Sequence, residues 1–322
     1  MEEKLEFIAD HKDSNTRLDI FLARSASITR SQAGRLIGAE QVRVDGQVRK
    51  AAFRILPGMK IDATLPGLNQ ESSNLNPWVV SIDVIYEDEW IIVINKPAGL
   101  VVHPGAGNRD KTLVNALIVR YPDIGGVGSS QRPGIVHRLD KLTSGVMVVA
   151  RNEQAYQVLS KAFSQHSHKR VYAAVCYGHM PDKQGSIETL MHRHPADRKK
   201  MSTKVTRGRH AVTHWEVRKA WPEVSLLRLQ LETGRTHQIR VHLSDRGNPL
   251  VGDPVYGGHK RWKTIMDPVM SAYIKNVKRQ MLHAEKLGFV HPGTCEWMEF
   301  VSPLSQDMQD LIELIDKRSN EK

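Results

Sequence analysis

Asp140 is the residue of this chain best placed to do chemistry. It lies in His137-Arg138-Leu139-Asp140-Lys141-Leu142-Thr143-Ser144-Gly145, between the apolar runs Gly134-Ile135-Val136 and Val146-Met147-Val148-Val149-Ala150. Both runs have the length and composition of strands. Asp140 is therefore expected just beyond a buried strand, on a short loop that Thr143, Ser144 and Gly145 turn back into the sheet. An acid held by a rigid scaffold, with a cation two residues away and hydroxyls nearby, is suited to be a catalytic carboxylate. The plainer reading is a turn aspartate that caps neighbouring backbone N–H groups, and the local pattern alone favours it. An aspartic-protease site does not fit. Its Asp-Thr/Ser-Gly run is interrupted here by Lys141 and Leu142, and no second copy occurs.

The histidines raise the question of a metal, and their spacing answers against it. His237 and His242 are five apart, whereas a zinc pair on one helix face is four apart. His192, His194 and His210 stand among Arg193, Arg198, Lys199, Lys200, Lys204, Arg207 and Arg209, a setting that repels a cation and suits phosphate. Cys176 and Cys295 form no Cys-x-x-Cys pair, so neither a disulfide framework nor a thiolate site is expected. No metal and no cofactor are expected.

Several elements must position Asp140. Strand-like segments are expected at residues 79–85, 91–95, 135–139, 146–150, 170–177 and 226–232, and helical patterns at 112–120, 153–163 and 306–316. They are mixed without regular alternation, which predicts an α+β fold with a largely antiparallel sheet flanked by helices. Ahead of them, residues 1–75 form a unit of their own. Leu18, Phe21 and Leu22 have helical spacing, and Thr29 is placed to cap a second helix whose apolar positions are Ala33, Leu36 and Ile37. Val42 to Val48 alternates and turns at Asp45-Gly46, a hairpin signal. Residues 65–74 are polar and aperiodic and read as a linker, leaving 76–322 as the larger domain.

The chain of 322 residues has 25% charged and 40% hydrophobic residues and a net charge of +11, a soluble composition with an acidic partner, most simply nucleic acid. Between residues 15 and 60, nine cations (Arg17, Arg24, Arg30, Arg35, Arg43, Arg49, Lys50, Arg54 and Lys60) face three acids, as a phosphate-tracking surface requires. The start, Met1-Glu2-Glu3-Lys4, lacks a signal-type apolar core, and no run approaches the roughly 20 apolar residues of a membrane span. A cytoplasmic location and a monomer are expected.

The wording of the Asp140 segment goes further than its pattern. His-Arg-Leu-Asp-x-x-Thr-Ser-Gly resembles the signature of the RluA-type pseudouridine synthases, which isomerise uridine in structured RNA. The resemblance continues through Asn95-Lys96-Pro97-Ala98-Gly99-Leu100-Val101-Val102-His103-Pro104, Lys169-Arg170-Val171-Tyr172-Ala173-Ala174-Val175 and Thr233-Gly234-Arg235-Thr236-His237-Gln238-Ile239-Arg240-Val241-His242-Leu243. Gly252-Asp253-Pro254-Val255-Tyr256-Gly257 and Gln280-Met281-Leu282-His283-Ala284 follow in the family's order. Residues 101–108 and 250–258 are closest to the subgroup acting on large-subunit ribosomal RNA. Leu142 departs from that subgroup, which often has an acid there, and the departure bears on substrate contacts. Residues 15–65 resemble the S4 RNA-binding domain.

The resemblance implies roles. Asp140 is the carboxylate that acts on the uridine, and the residues leave open attack at C1′, attack at C6, or proton removal at C2′. Arg240 pairs with it through two parallel hydrogen bonds, Arg235 being the residue that could exchange roles with it. Tyr172 stacks on the target base, worth ~1–3 kcal/mol, and its phenol can serve a proton. Arg138 fills the gap left by the flipped uridine, Leu282 walls the pocket, and His137 and Arg235 add substrate contacts. Arg17, Arg30, Arg35, Arg43 and Lys50 are the expected RNA contacts of the first domain. The implied partner is large-subunit ribosomal RNA or a pre-ribosomal particle. A transfer RNA synthase and a non-catalytic assembly factor are the alternatives; the set Asp140, Tyr172 and Arg240 argues against the latter, because binding alone would not need it.

Overall fold

The computed structural model describes residues 3–26, 28, 30–65, 75–105, 107–197 and 200–321. Thr29 as a helix cap, Arg198 and Lys199 in the basic stretch, and the linker from residue 66 to 74 lie outside the described residues.

The N-terminal unit runs β1 (Glu3–Ile8), α1 (Leu18–Ser25), α2 (Arg30–Gly38), β2 (Val42–Val44), β3 (Gln47–Val48) and β4 (Lys60–Leu65). Its antiparallel sheet has the order β1-β4-β2-β3. Leu18, Phe21 and Leu22 of α1 and Ala33, Leu36 and Ile37 of α2 bury their faces against Val42, Val44, Ile55 and Ile61, a core separate from the rest of the molecule. The β2–β3 hairpin turns on Asp45 and Gly46, at φ +48° and +74°. A two-residue turn of this hand needs both residues in the left-handed region, which Asp-Gly tolerates.

The larger unit comprises β5 (Val84–Glu87), β6 (Ile91–Lys96), α3 (Leu113–Arg120), β7 (Ser144–Ala150), α4 (Glu153–Ser164), β8 (Lys169–Tyr177), β9 (Gln184–Arg193), β10 (Met201–Ser202) and β11 (Arg209–Ala220). After these come β12 (Val224–Leu231), α5 (Gln238–Asp245), α6 (Pro268–Lys275), β13 (Leu282–Val290), β14 (Trp297–Val301) and α7 (Gln306–Asn320). The sheet order is β10-β9-β11-β12-β8-β13-β7-β6-β5, with β14 on β13. Its pairings are antiparallel apart from β13 with β7, so the fold is α+β with a largely antiparallel sheet. No helix among the described residues is long and apolar enough to cross a membrane.

The centre of this sheet is covered on both faces. Successive side chains of a strand point to opposite sides, so Tyr172, Ala174 and Cys176 of β8 enter one core with Leu227, Leu229 and Leu282. Ala173, Val175 and Tyr177 enter another, closed by Met308, Leu311 and Ile315 of α7. A strand buried on both faces reads as a continuous apolar run, which is how β8 looks in the sequence.

Two expected strands need correction. Residues 135–139 make no strand; a single bridge joins Ile135 to Val149. Gly134 (φ +69°) turns the chain against the Ala150 carbonyl, where a Cβ would come within 2.4 Å. The N–H of Val148 then donates to His137 Nε2 at 3.1 Å, so a side chain sits where a strand's carbonyl would. Asp140 thus follows an irregular segment and precedes a strand. The strand expected at 79–85 starts only at Val84, and Val79 is 86% exposed.

Candidate active site

Asp140 stands on the loop that enters β7, and that loop is tied down by backbone contacts. The Nζ of Lys96, fully buried at the end of β6, donates to the carbonyls of Pro97 (2.8 Å), Leu100 (2.9 Å) and Lys141 (3.3 Å). Burial pulls the Lys96 pKa down to about 7. Arg279 Nη1 reaches the Leu142 carbonyl at 3.2 Å, while the same guanidinium pairs with Asp307 at the start of α7. These two cations therefore fix the carbonyls of Lys141 and Leu142, the two residues that follow Asp140.

The Asp140 carboxylate, 18% exposed, accepts a hydrogen bond from Arg240 Nη1 at 2.9 Å. The two-bond grip expected on Asp140 goes elsewhere. Arg240 Nε and Nη2 both bond Asp253, at 2.8 and 3.0 Å. Asp253 is fully buried and also accepts from the N–H groups of Val255 and Tyr256. Burial opposes charge on Arg240, yet Asp253 and Asp140 raise its pKa above the ordinary guanidinium value. Burial likewise opposes charge on Asp253, which Arg240 and the two N–H groups overcome, lowering its pKa. Arg240 is thus oriented by Asp253 and presents one remaining N–H face to Asp140.

A cleft of about 430 Å³, open mouth included, joins Asp140 and Arg240 to Tyr172, Leu282, Arg138, Arg170, Arg235 and His237. Tyr172 and Leu282 are buried side chains on adjacent strands. Burial raises the Tyr172 pKa above its usual value. Arg138 is exposed at the rim, with Nη1 at 3.3 Å from His103 Nε2. Arg235 donates from Nε to the His210 carbonyl at 3.0 Å.

His137 is not part of this cleft. Its ring stacks on Phe163 at 4.4 Å between centroids, and burial holds its pKa well below the usual range. An apolar stack and the bond from Val148 make it a packing residue. In the N-terminal unit, Arg17 and Arg30 both bond the buried Asp19, at 2.9–3.0 Å. Arg43 donates to Gly46 O at 3.1 Å; Arg35 and Lys50 are exposed.

Reading the sequence gave no role in the site to Asp253, His237, Tyr256 or Arg170. His237 caps α5 in the left-handed conformation (φ +59°), uncommon for a residue with a side chain. Its Nε2 lies 3.8 Å from Asp140 Oδ2, and Nδ1 lies 2.9 Å from the Tyr256 hydroxyl, which accepts the Met201 N–H at 2.8 Å. The Gly-Asp-Pro turn of residues 252–254 was the one available signal for Asp253, since aspartates there cap backbone N–H groups.

Residues 90–245 match the RNA pseudouridylate synthase family, and residues 16–61 match the S4 domain. A Bacillus subtilis (strain 168) protein named as an uncharacterized RNA pseudouridine synthase, YlyB, is 39% identical over 316 residues, covering 98% of this chain and 99% of its own. The ribosomal large subunit pseudouridine synthase D of Escherichia coli (strain K12) is 41% identical over 301 residues, 93% of this chain and 90% of its own. Among solved structures, human RNA pseudouridylate synthase domain containing 1 superposes with a TM-score of 0.53 at 25% identity, covering 73% of this chain and 95% of that one.

Proposed function

The chain belongs to the RNA pseudouridylate synthase family and carries an S4 domain, and on that premise we propose that it converts uridines of large-subunit ribosomal RNA to pseudouridine, with Asp140 as the reacting carboxylate. The reaction breaks the bond between C1′ and N1, rotates the base and rejoins it through C5, with no net redox change. It needs a carboxylate, a base taken out of its stack and a pocket that retains the detached ring. The observation that carries the reading is the chain Asp253–Arg240–Asp140 opening into the cleft beside buried Tyr172. Arg240 aims the carboxylate, Tyr172 offers a face for the flipped uracil, and Leu282 closes the wall. Arg138 at the rim is placed to enter the gap in the stack, offsetting part of an unstacking cost of a few kcal/mol. The choice of large-subunit RNA rests on the names of relatives such as the E. coli protein and on the S4 domain.

The test has two parts. Pseudouridines mapped in total RNA, with and without the gene, should differ at uridines of the large-subunit RNA. A difference confined to transfer RNA would redirect the substrate, and none at all would remove the activity. With purified protein, tritium release from C5-labelled RNA should vanish in Asp140→Asn while RNA affinity stays near wild type. Substantial release by that variant would take the reaction away from Asp140.

A further inference from the structure

Arg170 is a buried cation that nothing described so far employs. It lies two residues before Tyr172 on β8, so both side chains emerge on the same face of the sheet and line the same cleft. Arg170 is only 8% exposed, and its Nε is buried without a hydrogen-bond partner. No carboxylate among the described residues pairs with it, and Asp140 is engaged by Arg240. Among the described residues its one charged neighbour is a second cation, Arg235, which adds repulsion and not compensation, and the rings beside it are neutral. The guanidinium lies 6.0 Å over Phe163, the middle ring of a stack with His137 and His168. Burial keeps both histidines neutral, His168 with a pKa of about 4. Gly234 makes the room: a Cβ there would lie 2.3 Å from Arg170 Nη1. An uncompensated buried charge costs several kcal/mol, and a guanidinium does not escape that cost by losing its proton. The cleft therefore holds a permanent positive charge awaiting an anionic occupant.

We propose that Arg170 is a catalytic residue that stabilises the uracil ring while it carries negative charge. This rests on the synthase reading above. When C1′–N1 breaks, the electron pair of that bond stays with the uracil and spreads to its oxygens. Addition of the carboxylate at C6 instead would also push charge onto a ring oxygen. Arg170 donates a hydrogen bond to such an oxygen without giving up its proton. The charge is discharged when C5 bonds to C1′; the C5 proton then leaves to solvent while N1 takes one up, so the product ring is neutral. A backbone phosphate has the same chemistry, but it stays with the RNA chain at the rim, where Arg138 and Arg235 lie more exposed than Arg170. The group that penetrates furthest is the base.

Arg170→Met keeps an unbranched chain of similar reach and removes the charge; Arg170→Lys keeps the charge. In single-turnover tritium release at saturating RNA, the Met variant should be slower by about a hundredfold, and the Lys variant should recover part of that loss. RNA affinity should change little, and Tm of the Met variant should equal or exceed that of wild type, because an unpaired buried charge is gone. A Met variant with an unchanged saturating rate would overturn the proposal. If it also lost affinity, and its salt slope fell by about one, Arg170 would be a phosphate contact. A lowered Tm with a rate lost in proportion to the unfolded fraction would make it a structural cation, again overturning the proposal. A wild-type protein that releases no tritium would strike the synthase reading itself, a separate outcome.

Discussion

At the scale of single residues, Asp140 and Asp253 share one guanidinium and differ in what surrounds them. Asp253 is fully buried and accepts two side-chain and two backbone hydrogen bonds, whereas Asp140 is partly exposed and takes one bond from Arg240. Removing one partner from a buried ion pair leaves the other charge uncompensated and costs ~3–5 kcal/mol. Asp253→Asn should therefore lower the denaturant midpoint strongly and also slow the reaction, since Arg240 loses the group that aims it. Asp140→Asn should abolish turnover with a midpoint close to wild type. Chemical denaturation of the two variants side by side is the measurement; equal stability losses would contradict this division. Tyr172→Phe separates stacking from proton handling. The variant should keep RNA affinity and lose most of its rate if the phenol moves a proton, and full rate would leave Tyr172 as a stacking surface.

At the scale of elements, the site depends on one close approach. Gly145 is the second residue of β7, just after the Asp140 loop, at φ +114°, and a Cβ there would meet the Ala284 carbonyl of β13 at 2.2 Å. This is where β13 runs parallel to β7, through His283–Ser144 and Ala284–Gly145, bringing Leu282 to the cleft. Gly145→Ala should push the two strands apart and cost ~3 kcal/mol or more, combining an overpacked contact with a disfavoured backbone. A variant with wild-type Tm would show that the strands are free to separate. The same region shows what a sequence can and cannot disclose. β6, β7 and β8 were legible because strands buried on both faces are short continuous apolar runs. The helix pattern at 112–120 was legible from its 3.6-residue spacing. β9 and β11 were not, because the exposed Leu190 and the fully buried Thr213 break the alternation of polar and apolar positions. Residues 135–139 misled because a histidine side chain, not a carbonyl, completes the edge of β7. Asp140, Tyr172 and Arg240 were readable as motif words. The pairing of Arg240 with Asp253 and the isolation of Arg170 depend on contacts between distant segments, which no local pattern encodes.

At the scale of the whole molecule, buried histidines set the acid limit. Burial lowers the pKa of His168 and of the fully buried His242 to about 4, against 6.5 for a free imidazole. Between those values the unfolded chain binds protons that the folded one refuses, so stability is complete above pH 6.5 and declines as pH falls toward 4. Each contributes at most ~3 kcal/mol, and the denaturant midpoint should drop clearly between about pH 7 and about pH 5; a flat profile would mean that these rings accept protons in place. The second molecular prediction concerns the division into domains. The core around Phe21, Leu22 and Ile61 shares no residue with the cores of the larger unit, and Gln32 Nε2 to Gly126 O, at 3.3 Å, is a polar contact between the two. Deleting residues 1–75 should then leave a folded catalytic domain that retains Asp140, Arg170, Tyr172 and Arg240. The deletion removes a surplus of cations, so RNA affinity should fall and its dependence on salt should flatten as fewer phosphates are neutralised. The rate at saturating RNA should change much less. Single-turnover kinetics over an RNA and salt titration, for full-length and truncated protein, decides the matter. A saturating rate reduced as severely as in Asp140→Asn, with affinity unchanged, would place the N-terminal unit inside the active site rather than beside it.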